Sequence, residues 1–177
     1  EFSGKSLQLS LLHTPPNSGT AFQRLLLVGL GKRKDVDADT LRNAAGKTAV
    51  FLRSAGAKRI ACYLLADGVL HSPAHAQAVV EAAMLSLYRF DKYKTETDDD
   101  KNELEEYTLL CPPLRQREYA DAAAAAEVIA TAVNDARQVL NEPANVVTPK
   151  AIAEKAREMA KKLHGLKCRV IEEQEMR

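Results

Sequence analysis

The sequence predicts an α/β fold with a mixed sheet. Three observations carry this expectation. Short apolar runs of strand type recur between longer runs with helical spacing. The first two strand runs are close enough to form a hairpin, and the next strand–helix–strand run, within about forty residues, has the form of a parallel crossover. A long alanine-rich helix then meets a proline-bounded bend, beyond which a helix and a strand pattern begin again.

Leu7 to Leu12 alternates apolar and polar with period two, as a half-buried strand does. His13 to Thr20 holds two prolines, Asn17 and Gly19, and reads as a loop. Phe22 to Gly29 is a more continuously apolar strand, so it should be more buried. The pair fits a hairpin with a longish loop. Gly29-Leu-Gly-Lys32 has the look of a phosphate loop. The nucleotide motif, however, needs a Gly-Lys-Ser/Thr at fixed spacing, and Lys32 is followed by Arg33. The glycines are read instead as ending the strand and turning the chain.

Asp37 or Asp39 can cap the next helix. Leu41, Ala44, Ala45, Thr48, Leu52 and Ala55 recur at helical spacing, and Gly56 suits a left-handed terminator. Arg59 to Leu65 is a third strand, parallel to the second. Ser72-Pro73 supplies an N-cap followed by proline in the first helical position. Ala76, Val79, Val80, Ala83, Met84 and Leu87 form the buried stripe of the helix that follows. His71 and His75 are four residues apart, a metal-ligand spacing, but His71 precedes the helix and no acidic ligand accompanies them.

Tyr88 to Lys94 mixes three aromatic rings with charges. An RNA-stacking face is one reading. The other has the helix ending there, the rings packing back on the core and the charges left in water. Thr95 to Glu106 is the most polar segment. Asp98 to Asp100 lacks the glycine that a calcium loop needs for its bend, so a solvated loop is expected. Tyr107 to Leu110 is a short strand stopped by Pro112-Pro113. From about Glu118 a long helix begins, with Ala122 to Ala126 at its strongest point. It should run roughly 30 Å at 1.5 Å per residue.

Asn141-Glu-Pro-Ala-Asn-Val-Val-Thr-Pro149 cannot continue that helix. Pro143 and Pro149 lack an amide hydrogen, and the residues before them are pushed toward extended backbone. Thr148-Pro149 again reads as a cap and first helical position. Ile152, Ala156, Met159, Ala160 and Leu163 give an amphipathic helix closed by Gly165, and Cys168 to Ile171 starts a strand.

Composition narrows the function classes. The chain has 177 residues, 46% of them apolar and 28% charged, with a formal net charge of +1. That is ordinary globular composition, enough for one core or for one domain with part of another. Balanced charge gives DNA binding no support, and the basic residues of Lys150 to Arg169 are interspersed with Glu154 and Glu158. Cys62, Cys111 and Cys168 are too few and too scattered for a disulfide framework or a zinc site. Cys62 and Cys168 are expected as small core residues, consistent with a reducing compartment. A cysteine hydrolase built on His164 and Cys168 is disfavoured, because Gly165 and the change from helix to strand separate them. No apolar run reaches the ~20 residues that span a bilayer.

The bend also carries a resemblance. Asn141-x-Pro-Ala-Asn-x-x-Thr-Pro149 resembles the segment that opens the catalytic domain of the leucyl (cytosol) aminopeptidases, a metallopeptidase family. Leu26 to Lys32, Tyr88 to Lys94 and Ile171 to Met176 agree with that family in order and spacing. The resemblance covers nearly the whole chain.

It implies a three-layer, macro-domain-like sandwich over residues 1–120, lacking its first strand and helix. A connecting helix over 121–140 and the start of a catalytic domain over 141–177 would follow. Family members remove amino-terminal residues, Leu favoured, from peptides. Two divalent metal ions (Zn, Mn or Mg) polarise the scissile carbonyl and generate the attacking hydroxide. Their ligands are Asp, Glu and Lys side chains of motifs that this sequence lacks. The chain is therefore expected to be an interior piece of a cytoplasmic, homohexameric enzyme. No residue in it is expected to be catalytic, cofactor-binding or metal-ligating. The competing expectation is a macro-like binding module for a nucleotide ligand or DNA, a fold-level analogy.

Overall fold

The structure is a computed structural model, and it describes residues 1–15, 17–63, 72–95 and 103–176. The chain is α/β. It divides into two compact units, Glu1–Asn134 and Asp135–Arg177.

In the first unit, β1 (Leu9–His13) and β2 (Arg24–Val28) pair antiparallel, with Leu9 opposite Val28 and His13 opposite Arg24. The expected hairpin is present, but shorter than its apolar pattern. Leu7 has a φ of +59° and sits in a turn closed by the Gln8 amide on the Lys5 carbonyl at 2.9 Å, so the ladder starts at Leu9. Phe22 lies outside the ladder and is exposed. Gly29 is required by close approach: a Cβ there would lie 2.1 Å from the Lys5 carbonyl oxygen.

Helix α1 (Ala38–Ser54) starts at Asp37 rather than Asp39. The Asp37 carboxylate accepts from the Thr40 amide at 2.8 Å, and the Thr40 hydroxyl faces back toward the Asp37 amide as a capping box. The helix ends as expected. Gly56, at φ +71°, donates to the Arg53 carbonyl, and the Ala57 amide reaches the Leu52 carbonyl, the paired bonds of a Schellman termination.

Strand β3 (Arg59–Tyr63) follows, and here the expected pairing needs correction. Among the described residues, the parallel partner of β3 is not β2 but β4 (Glu106–Leu110), in register from Arg59–Glu106 to Tyr63–Leu110. The crossover helix is therefore α2 (Pro73–Leu87). The mixed character is divided between two ladders, one antiparallel and one parallel. Leu64 and Leu65, expected to extend β3, lie outside the described residues.

Helix α2 begins as read: Ser72 Oγ accepts from the His75 amide, and Pro73 opens the helix. It packs on α1 along a seam of small side chains. A Cβ on Gly46 would meet Ser86 Cβ at 3.4 Å. Leu41, Ala45 and Val79 are buried together, with Leu30, Val36, Cys62, Ala82, Tyr107 and Leu109 packed against them. Leu41 and Val79 are each 2% exposed or less, so each contributes roughly 1.5–3 kcal/mol of transfer free energy. Burial alternates along β3 and β4 as the pleat dictates. Cys62, Tyr107 and Leu109 lie on the helix-covered face, while Tyr63 and Leu110 on the other face are exposed. Among the described residues, α1 and α2 cover one face of the β3–β4 ladder.

Helix α3 (Gln116–Asn141) starts two residues before the expected Glu118 and runs 26 residues, about 39 Å at 1.5 Å per residue. Its buried residues in the first unit are Tyr119, Ala122, Ala126 and Ala130, at spacings of three and four. Asn134 Nδ2 donates to the Met84 carbonyl at 3.4 Å.

In the second unit, the Val146 and Val147 amides both reach the Pro143 carbonyl, closing the bend. Thr148 Oγ1 accepts from the Ala151 amide and opens α4 (Pro149–Lys162). None of the residues of α4 is buried. The strand expected at Cys168 to Ile171 is absent among the described residues. A strand needs a neighbouring ladder for its amides and carbonyls, and no described segment provides one there. Cys168 is accordingly exposed, not a core residue.

Candidate functional site

The candidate site is a cavity of about 540 Å³ in the first unit, bounded by α2, β4 and α3. Three separate sequence stretches build it. Helix α2 presents Val80, Ala83, Met84 and Leu87, from the carboxyl-terminal half of its apolar stripe. Strand β4 turns Tyr107 and Leu109 to the same side, two residues apart, and Cys111 follows them. Helix α3 adds Gln116, Tyr119, Ala120, Ala123, Glu127 and Thr131.

Two tyrosines stand in this wall beside the polar Gln116, Glu127 and Thr131. Burial raises the Tyr107 phenol well above its usual range, and the negative charge of a Cys62 thiolate would raise it further. Its hydroxyl pairs with Cys62, whose own thiol is pushed up by burial. Both groups are therefore neutral and structural at ordinary pH. Tyr119 is 4% exposed, and its hydroxyl has no hydrogen-bond partner among the described residues. Desolvation raises its pKa, while the Arg115 guanidinium, 5.7 Å from the ring centre, lowers it. Arg115 is itself held by Glu118 at 2.8 Å. The lining is mostly apolar and offers a surface for packing.

The motifs singled out in the sequence are not brought together. The Gly29 amide donates to the Gln8 carbonyl at 2.8 Å, and the Gly31 amide to the Gly4 carbonyl at 3.0 Å. Amides so engaged cannot ring a phosphate, and Lys32 is exposed. His75 lies in the first turn of α2 with Nδ1 buried and unpartnered among the described residues. His71 and Asp98 to Asp100 lie outside the described residues. At the end of α2, Phe90 and Tyr93 are 5.8 Å apart, and Lys92 sits 5.3 Å from the Tyr93 ring. Tyr93 is half exposed, so that ring does not pack back as expected. Asp91 binds Arg89 and Lys94, which turns the charges on one another. His164 and Cys168 are both exposed, with no bond between them among the described residues. Among the described residues, no three His, Cys, Asp or Glu side chains gather as a metal ion requires. No described helix is long and apolar enough to cross a membrane.

Sequence reasoning missed Tyr119 and the cavity. The signal that could have found Tyr119 is its phase: it falls on the same helical stripe as Ala122, Ala126 and Ala130.

Comparison with known proteins places this architecture. A family model described as "Cytosol aminopeptidase family, N-terminal domain" matches residues 1–97. The chain is 40% identical over 177 residues to a Geobacter sp. protein named "Probable cytosol aminopeptidase", covering 99% of this chain and 35% of that one. A protein of the same name from Aquifex aeolicus is 32% identical over 161 residues, covering 91% and 31%. Among solved structures, the bottromycin maturation enzyme BotP in complex with Mn superposes with a TM-score of 0.72 at 31% identity. The match covers 91% of this chain and 32% of that one. A mutant of tomato leucine aminopeptidase gives 0.73 at 27% identity, covering 91% and 30%. The chain spans about a third of the length of the curated relatives it matches.

Proposed function

The chain belongs to the cytosol aminopeptidase family, and from that premise we propose that it is the non-catalytic, assembly-directing portion of a leucyl aminopeptidase. The observation that carries this reading is the colinear match of 99% of the chain to 35% of an aminopeptidase relative. The parent would cleave amino-terminal residues, with Leu preferred, from peptides. It would use two divalent metal ions and work as a cytoplasmic homohexamer. A structural neighbour in complex with Mn supports divalent metal use in the family.

The described residues do not provide a metal centre: no three candidate ligands converge. The proposed role of these residues is scaffold and linkage. Residues 1–120 would form the amino-terminal domain, 121–140 the connecting helix and 141–177 the entry to the catalytic domain.

The test uses the 177-residue polypeptide and its full-length parent side by side. Metal content is measured by plasma mass spectrometry and turnover with leucine amide. The expected result is metal and turnover in the parent, with neither in the shorter chain. Stoichiometric metal with leucine-amide hydrolysis in the shorter chain would overturn the assignment.

A further inference from the structure

We draw no further inference here: the strongest candidate, the mostly apolar cavity between α2, β4 and α3, carries nothing, because nothing in the structure shows what covers it.

Discussion

Arg24 Nη1 donates to the Ala55 carbonyl oxygen at 2.6 Å, tying the first residue of β2 to the carboxyl end of α1. Nη2 lies 3.5 Å from the Gly56 carbonyl. The last carbonyls of a helix have no partner within it, and their aligned dipoles favour a cation. One part-buried guanidinium answers both needs.

Removing that charge while keeping the aliphatic stem isolates the interaction. Arg24→Met is expected to lower stability by about 1.5–3 kcal/mol, the range for a hydrogen bond with a charged partner. Urea unfolding reads this as a lower midpoint at unchanged slope. Arg24→Lys should recover only part of it, because an ammonium is a single point donor and lacks the two spaced nitrogens with which the guanidinium reaches both carbonyls. An unchanged midpoint in Arg24→Met would show that the contact contributes nothing net.

The Asp37 cap predicts a pH dependence. Its carboxyl titrates below the usual 3.8, chiefly through the hydrogen bond from the Thr40 amide and next through the Thr40 hydroxyl. A depressed folded-state pKa stabilises the fold above the unfolded value. The contribution is lost as pH falls through the folded value. Thermal melts of the wild type should therefore show a stabilising component that fades below about pH 4. Asp37→Asn keeps an acceptor for the Thr40 amide and should flatten that component. A variant whose acid profile overlays the wild type would contradict the assignment.

The two buried phenols should respond oppositely to loss of the hydroxyl. Tyr119→Phe removes a buried group with no partner among the described residues, and burying such a group costs about 1–3 kcal/mol. The variant is expected to match or exceed wild-type stability. Tyr107→Phe strands the Cys62 thiol that the phenol faces, and should lose about 0.5–1.5 kcal/mol. Chemical denaturation of both variants decides the matter. A destabilised Tyr119→Phe would mean that its hydroxyl has a partner in solution.

The local chemistry of this fold is legible in the residues themselves. Ser72-Pro73, Thr148-Pro149 and Gly56 each do what their backbone preferences dictate, because caps and terminators depend only on neighbours in sequence. Pairing is less legible. Ile60 to Tyr63 announces a strand, but its choice of β4 over β2 depends on how α2 crosses, which no period records. Cys168 to Ile171 has strand composition without a ladder, since composition cannot supply a partner. The cavity was invisible for a related reason. Its walls come from stretches around residues 84, 109 and 119 that only the tertiary fold juxtaposes. The family motifs, by contrast, were readable because each is a short contiguous string.

Gly46 and Ser86 meet where α1 crosses α2, with space for one small group and little more. The two positions therefore do not vary freely. A methyl added at 46 would rest directly on Ser86 Cβ, so its natural partner exchange is Ser86→Gly, which removes that carbon, whereas Ser86→Ala leaves it in place. Such paired exchange is the kind of covariation that would let this helix crossing be recognised in relatives too divergent for direct alignment.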